Sequence, residues 1–303
     1  MRIFITGGAG FIGIHLCKKL LKLNHSVTVY DNFSNSSQNN FSSKINEQVN
    51  LIEGNILDYS LLEHSMNNYD AVIHLAAKIS VSESVKNPHD TFDVNVNGTT
   101  NVLKSCAKNN ISKIIATSTA AVYQNVSEQT ILDESSSIGP SSPYGESKLE
   151  MEKMITTFTH TSNVDTIILR LFNVYGIGQS PEYAGVITKF LDCIENNNDL
   201  TVFGDGEQTR DFVYIDDVID AIILSLNCTT SGIYNIASGD SISIINLAHI
   251  MIKQSGKNLN LQFTSSRWGD IKFSSASILK AKKYLEIEPV FEISQGLQKL
   301  CDS

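Results

Sequence analysis

The sequence predicts an α/β protein that contains a doubly wound parallel sheet and a smaller, mixed α/β domain. Two observations lead to this prediction. Short runs of β-branched residues alternate with longer helix-like stretches through the first half of the chain, and this alternation stops in the second half. Strands that alternate with helices typically form one parallel sheet whose helices cover both faces.

The strands of the parallel sheet are predicted at 3–6, 27–30, 49–53, 71–75, 113–118 and 166–171. Leucines with helical spacing follow the first strand, and a further helix is predicted at 98–107. The segment 31–44 is rich in asparagine and serine, which favours a surface loop.

The second half of the chain mixes predicted helices at 186–196, 216–225 and 244–255 with short strands at 201–203 and 232–235. We therefore expect a dinucleotide-binding domain at 1–175 and a second domain at 176–303. The second domain is expected to be discontinuous, with part of 205–240 returning to the first sheet.

The composition excludes several classes of protein. The chain has 303 residues, of which 42% are hydrophobic and 18% are charged, as in ordinary globular proteins. Its net charge of -9 argues against nucleic acid or an anionic membrane as partner. Five scattered cysteines form neither a disulfide framework nor a metal pair, and no metal site is expected. In the absence of a recognisable signal peptide or membrane-spanning run, we expect a cytoplasmic location.

A glycine-rich turn joins the first predicted strand to the first helix. Gly7, Gly10 and Gly13 form the pattern G-x-x-G-x-x-G. The first glycine permits a tight turn, the second lets backbone amides approach a pyrophosphate, and the third lets helix and strand pack closely. In this context the pattern favours a Rossmann-type dinucleotide site over a glycine turn without a ligand.

Asp31 closes the second predicted strand and bears on the choice of cofactor. Its carboxylate can accept hydrogen bonds from both ribose hydroxyls and would repel a 2'-phosphate. No Arg or Lys lies between it and Lys44. The sequence therefore predicts NAD rather than NADP, with a turn residue or helix cap as the alternative role of Asp31.

Tyr144 and Lys148 are the candidate catalytic pair. Their spacing of four puts both side chains on one face of the helix that Pro143 is predicted to start. A neighbouring ammonium and a bound nicotinamide cation would lower the pKa of the phenol toward the range of a useful base. The same spacing occurs on many solvated helix faces, but Thr119 at the end of a predicted strand supplies a third polar group.

Further motifs extend along nearly the whole chain. They lie at 6–13, 73–77, 95–99, 118–123, 143–148, 170–176, 203–212 and 267–271. Together and in this order they resemble the extended short-chain dehydrogenase/reductase family, the NAD-dependent epimerases and dehydratases, and look most like its UDP-glucose 4-epimerases.

The resemblance implies a role for each matching residue. Tyr144 would be the base, Lys148 would hold the nicotinamide ribose and tune Tyr144, and Thr119 would hydrogen-bond the reacting sugar oxygen. The implied reaction passes through a 4-keto sugar that turns before hydride returns to its opposite face. Asn55 departs from the family, in which an Asp usually contacts the adenine amino group; an amide oxygen can still accept that bond.

The remaining contacts are also carried over from the resemblance. The implied cofactor-binding residues are Gly7, Gly10, Phe11, Ile12, Gly13, Asp31, Asn32, Asn55, Ile56, Leu75, Ala76, Ala77, Asn95, Tyr144, Lys148 and Phe172. The implied substrate-binding residues are Thr119, Tyr144, Asn173, Arg210, Arg267 and Asp270. The implied substrate is a UDP-sugar, although these contacts would not exclude thymidine.

Three residues narrow the reaction, and several alternatives stay open. Ala120 and Ala121 stand where dehydrating and decarboxylating relatives carry acidic residues, so simple 4-epimerisation is favoured. Ser274 stands where glucose-restricted relatives carry Tyr, which suggests that N-acetylated sugars also fit. The alternatives are a UDP-uronate 4-epimerase, another oxidoreductase or decarboxylase of the family, and a non-catalytic NAD-binding sensor. By family analogy, helices at 99–108 and 147–159 would form a homodimer.

Overall fold

The computed structural model describes residues 1–38, 41, 45, 48–126, 128–179, 185–266 and 271–302. The chain divides into two compact units. The first comprises Met1–Val122, Ser142–Arg170 and Ile219–Tyr234; the second comprises Tyr123–Ser141, Leu171–Val218 and Asn235–Ser303. None of the helices among the described residues has the length and apolarity needed to cross a membrane.

The strands in the described ranges are numbered in chain order. They are β1 (Arg2–Thr6), β2 (Ser26–Asp31), β3 (Asn50–Glu53), β4 (Ala71–His74), β5 (Lys113–Thr119), β6 (Ile131–Leu132), β7 (Asp165–Leu171), β8 (Asn173–Tyr175), β9 (Leu200–Phe203), β10 (Thr209–Tyr214), β11 (Gly232–Ile236), β12 (Ser241–Ser243), β13 (Leu261–Thr264) and β14 (Ser275–Ala276).

The α-helices are numbered in the same way. They are α1 (Phe11–Lys22), α2 (Tyr59–Ser65), α3 (Val81–Lys86), α4 (Pro88–Phe92), α5 (Thr99–Lys108), α6 (Pro143–Thr161), α7 (Val186–Glu195), α8 (Ile215–Asn227), α9 (Ile244–Ser255), α10 (Leu279–Leu285) and α11 (Ile293–Cys301). A π-helical segment, Asp93–Gly98, leads directly into α5, and a 3₁₀ turn, Ala120–Val122, follows β5.

A seven-stranded sheet forms the centre of the first unit, in the order β11-β7-β5-β4-β1-β2-β3. The pairings β1–β2, β2–β3, β1–β4 and β4–β5 are parallel. The fold class predicted from the sequence, a Rossmann-type doubly wound parallel sheet with a smaller mixed part, is confirmed. The strand order reverses between β1 and β4, and ligands of such sheets bind beyond the carboxyl ends of the strands at this reversal.

Burial explains why these strands read as nearly continuous apolar runs. Ile3, Phe4 and Ile5 of β1 are fully buried, as are Val72 and Ile73 of β4. A strand covered by helices on both faces has no solvent side, so apolar residues occupy successive positions. Each such side chain contributes about 1.5–3 kcal/mol relative to an exposed one.

The second unit contains three small sheets. β8 and β10 are parallel, and β12 is antiparallel to β10. The pairs β9–β13 and β6–β14 are both parallel. The sequence analysis did not predict β10, which carries Arg210, because its first half is polar and lacks a regular apolar pattern.

Candidate active site

The glycine turn between β1 and α1 is built for close approach to the backbone. Gly7 has φ +71°, and a Cβ on it would lie 2.5 Å from the amide nitrogen of Ala76. A Cβ on Gly13 would collide with the backbone of Gly8. α1 starts with Gly10 at its N-cap, no side chain caps it, and its first turn contains no acidic residue. Its amides and dipole are therefore suited to an anionic group such as a pyrophosphate.

Asp31 ends β2 and links this turn to the loop that follows. Its carboxylate accepts hydrogen bonds from the backbone amides of Ala9, at 3.0 Å, and Phe33, at 2.8 Å. Burial raises the pKa of the carboxyl, and these hydrogen bonds oppose the rise. Two carboxylate oxygens offer about four acceptor sites, so capacity for ribose hydroxyls remains. The next residue, Asn32, accepts a hydrogen bond from the amide of Ser34.

Two further loops of predicted cofactor-binding residues follow β3 and β4. Leu75 donates its amide to the carbonyl of Thr6 at 2.9 Å, which ties the end of β4, and with it Ala76 and Ala77, to the glycine turn. Asn55 accepts a hydrogen bond from the amide of Leu57, and Ile56 is buried. The predicted residues therefore follow β4, which flanks the reversal of strand order, and β3, which lies at the edge of the sheet.

Asn95, a predicted cofactor-binding residue, connects the loop after β4 to α6. Its side-chain amide donates to the carbonyl of Lys78 at 3.0 Å and to the hydroxyl of Ser147 at 2.9 Å, and its oxygen accepts from the amide of Lys78. The side chain is buried and engaged on both sides. Asn95 thus holds the loop after β4 against α6, and its contact with the cofactor stays a prediction.

Tyr144, Lys148 and Thr119 come together at the junction of α6 and β5. Ser142 caps α6 by accepting a hydrogen bond from the amide of Gly145, and Pro143 occupies its first turn, as the sequence predicts. The Tyr144 phenol is hydrogen-bonded to the hydroxyl of Thr119. The Lys148 ammonium donates to the carbonyl of Thr117 at 2.8 Å.

The environment of this trio determines its acid–base properties. Burial raises the pKa of the Tyr144 phenol to about 12, and the bond to Thr119 opposes that rise. Burial lowers the pKa of the Lys148 ammonium to about 8, and the Glu152 carboxylate opposes the fall. The lowering effect of Lys148 on the phenol, expected from the sequence, stays a prediction.

A chain of buried hydrogen bonds surrounds the trio. His74 bonds to the hydroxyl of Thr6 at 2.7 Å through Nδ1 and to the hydroxyl of Thr99 at 2.9 Å through Nε2. Because the hydroxyl of Thr99 donates to the carbonyl of Asn95, it accepts from Nε2 of His74. Burial and the Lys148 charge lower the pKa of His74 to about 3, so this histidine is a neutral structural link.

Of the predicted substrate-binding residues that the structure describes, Thr119 and Tyr144 lie in the first unit, and Asn173 and Arg210 lie in the second. Asn173 on β8 donates its side-chain amide to the carbonyl of Asp211 at 2.9 Å. Arg210 on β10 donates to the carbonyl of Thr209 at 2.8 Å. Phe172, predicted to contact the cofactor, is buried. Arg267 and Asp270 lie outside the described residues.

Sequence reasoning missed two groups of buried polar residues. Asp211 is fully buried and accepts hydrogen bonds from Ser238, Gly239 and Ala276. Glu152 is buried with Arg170, next to the residues of the trio on α6 and β5. Glu152 lies four residues after Lys148, so helical spacing could have identified it.

The fold and the trio define a dinucleotide-binding enzyme of the Rossmann class that has a tyrosine–lysine pair. The chain belongs to the NAD-dependent epimerase/dehydratase family, whose model matches residues 3–237. Its cofactor is NAD, and the glycine turn and Asp31 fit that cofactor.

Relatives with known names or structures cover nearly the full chain. A putative UDP-glucose 4-epimerase of Methanocaldococcus jannaschii is 36% identical over 98% of this chain and 96% of its own length. The crystal structure of Thermotoga maritima UDP-glucose 4-epimerase with UDP-glucose has a TM-score of 0.95 and 31% identity, covering 100% of this chain and 98% of that one. UDP-N-acetylglucosamine 4-epimerase of Methanobrevibacter ruminantium, in complex with UDP-N-acetylmuramic acid, has a TM-score of 0.93 and 33% identity, covering 99% and 97%. The family's members thus differ in substrate.

Proposed function

We propose that this protein is an NAD-dependent nucleotide-sugar 4-epimerase that interconverts UDP-glucose and UDP-galactose. The observation that carries the proposal is the hydrogen-bonded pair Tyr144–Thr119 at the junction of β5 and α6, with Lys148 one helical turn away. Ala120 and Ala121 follow Thr119. Neither alanine can transfer a second proton, which disfavours dehydration at neighbouring carbons.

In the proposed reaction, the Tyr144 phenolate accepts the proton of the sugar 4-hydroxyl, and the hydroxyl of Thr119 hydrogen-bonds the same oxygen. Bound NAD supplies the acceptor for the hydride of carbon 4. Because a phenol with a pKa near 12 is almost fully protonated at neutral pH, Tyr144 needs a cationic neighbour when it acts as a base. Lys148, one helical turn away on α6, is proposed to provide one.

The second unit is proposed to bind the nucleotide part of the substrate. Arg210 offers a guanidinium fork for the diphosphate, and Asn173 lies on the strand paired with it. Arg267 and Asp270 are proposed to contact the same nucleotide. Ser274 is small and buried, which supports acceptance of N-acetylated sugars as well.

A UDP-uronate 4-epimerase is the second candidate function. It is supported by a relative of this chain, the UDP-glucuronate 4-epimerase of Thermodesulfobacterium geofontis, which is 32% identical over 97% of this chain and 93% of its own length. The two candidate functions use the same trio, and their sugar substrates differ in the substituent at carbon 5. A panel of UDP-sugars therefore separates them.

We also propose a homodimer formed through α5 and α6. A groove of about 450 Å³ runs between these helices. Its lining residues are Thr100, Leu103, Lys104, Ala107, Glu150, Lys153, Met154, Thr157, Phe158 and Thr161. Sedimentation analysis should give twice the chain mass; a monomer at micromolar concentration would contradict the proposal.

Replacement of Tyr144 by Phe tests the proposed function. Loss of a general base typically lowers kcat by about 10²–10⁴-fold, whereas the fold and retained NAD should persist. Tyr59→Phe, at an exposed tyrosine, is the matched control. Turnover of UDP-glucose, UDP-N-acetylglucosamine and UDP-glucuronate is followed by NMR without added NAD, because an epimerase regenerates its cofactor. A Tyr144→Phe variant with the activity of the control would refute the role of the base, and no turnover of any sugar would favour an NAD-binding sensor.

A further inference from the structure

Three consecutive residues at the carboxyl end of β5 bond to one face of α6. The pairs are Thr117 carbonyl with Lys148 ammonium at 2.8 Å, Ser118 hydroxyl with Glu152 carboxylate at 2.5 Å, and Thr119 hydroxyl with Tyr144 phenol. The helix positions are spaced by four, so they lie above one another on the same face. The three bonds together fix the register of the helix on the strand.

Glu152 is the least expected member of this face, because it is a carboxylate in the protein interior. Its side chain is 2% exposed, and that of Arg170 is 3% exposed. Arg170 on β7 binds it through both a 2.9 Å bond from Nε and a 2.7 Å bond from Nη2. With Ser118, the carboxylate accepts three hydrogen bonds. A buried ion pair is weak evidence for added stability, since its desolvation opposes its Coulomb attraction. A role beyond stability is therefore worth testing.

The carboxylate acts on Lys148, one turn before it on α6. Burial disfavours the charged ammonium, and the negative charge of Glu152 favours it. His74 is already neutral at the pH values where an enzyme works, so it does not titrate with Lys148. Among the described residues on elements packed against α6, the other charged or titratable groups are Glu83, Lys86, His89, Asp90, Asp93, Lys104, Cys106, Lys108 and Lys113. Asp90 pairs at 3.0 Å with Lys78, which lies in the loop after β4.

We propose that Glu152 is a positioning residue for the Tyr144–Lys148 pair. The Glu152 carboxylate keeps the Lys148 ammonium charged and bound to the carbonyl of Thr117, and it touches neither substrate nor cofactor. Arg170 and Ser118 hold the carboxylate in the orientation that this requires. The proposal rests on the proposed function, since it assumes that the pair does the chemistry.

Glu152→Gln is the decisive variant because it removes the charge and keeps the shape. Without the carboxylate, Lys148 loses its proton at lower pH. The alkaline limb of the kcat–pH profile should therefore move down by roughly one unit or more. Glu146→Gln, the same change at an exposed position of α6, should leave the limb in place. A limb at the wild-type position in Glu152→Gln would overturn the proposal.

A second measurement needs no turnover. The free energy of unfolding of wild type and Glu152→Gln is compared between pH 6 and pH 9. At pH values where the native variant binds fewer protons than the native wild type, the difference between their free energies of unfolding, called the stability gap, narrows as pH rises. A gap that narrows through this range supports the proposal. A constant gap would mean that the carboxylate has only a structural role.

Glu152→Asp is a second variant that keeps the proposal testable if Glu152→Gln does not fold. It keeps the charge and shortens the reach, so kcat should fall while the alkaline limb stays within about 0.3 unit of wild type. A limb shifted as far as expected for Glu152→Gln would show that charge is not the property that matters. Failure of the proposed function is recognised separately, because either Tyr144→Phe would then retain activity or the wild type would turn over none of the sugars.

Discussion

Replacement of Thr119 by Val removes one hydroxyl and tests how the phenol is tuned. Valine has nearly the same shape as threonine but cannot hydrogen-bond. The hydroxyl of Thr119 accepts a bond from the amide of Ala121 at 3.2 Å and bonds to the phenol of Tyr144. The variant therefore loses both contacts while the packing of β5 is preserved.

The expected loss follows from these two contacts. A hydrogen bond to a group that becomes charged contributes about 1.5–3 kcal/mol, which corresponds to about 10- to 150-fold in kcat. The unpaired amide of Ala121 should cost a further ~1 kcal/mol of folding stability. Because the bond to Thr119 opposes the burial that raises the pKa of Tyr144 to about 12, its loss should raise that pKa further. The ascending limb of the kcat–pH profile should then move to higher pH.

Thr119→Ser is the control, since it keeps the hydroxyl and removes only a methyl group. Both variants are assayed with UDP-glucose from pH 6 to pH 10, with the NAD content of each preparation measured by absorbance. If Thr119→Val turned over as fast as Thr119→Ser at every pH, Thr119 would not be tuning the phenol, and the assignment of the trio would have to be revised.

Two further predictions concern the cofactor turn and the second unit. Gly7→Ala should lower the free energy of unfolding by about 2–5 kcal/mol and abolish retention of NAD. Residue 7 has φ +71°, and the added Cβ would lie 2.5 Å from the amide nitrogen of Ala76. A variant with the NAD content and the calorimetric unfolding transition of the wild type would contradict this. Burial raises the pKa of Asp211 to about 6. Since the folded carboxyl then binds a proton that the unfolded one releases, its contribution to stability should rise by about 2.4 kcal/mol as pH falls from 7 to 4. Asp211→Asn cannot titrate, so denaturant unfolding should give wild type a growing advantage over the variant toward pH 4, and a gap independent of pH would refute the assignment.

The sequence predicted the parts of the fold that local patterns determine. β1, β2 and β4 read as apolar runs because helices cover both faces of the sheet. α6 could be started at Pro143 because a proline lacks the amide that the first turn leaves unpaired. The glycine turn was visible because backbone approach at Gly7 excludes a side chain.

The burial of Glu152 and Asp211 was not predicted because their partners are distant in the sequence; helical spacing from Lys148 marks Glu152 as a candidate but does not show that it is buried. Glu152 reads as a solvent-facing helix residue until Arg170, on a strand, is brought within 2.7 Å of it. Asp211 is satisfied by donors from residues 238, 239 and 276. Asn95, in the π-helical segment Asp93–Gly98, donates to the carbonyl of Lys78, a contact that no local periodicity encodes.

The position of β11 at the edge of the seven-stranded sheet has a consequence for biosynthesis. β11 spans Gly232–Ile236, so the ribosome must translate most of the chain before this strand exists. Until then β7 has an open edge whose amides and carbonyls can pair with another nascent chain. Slowed translation just before codon 232 should therefore increase aggregation more than the same pause at the last codons, when β11 has left the ribosome and can pair with β7.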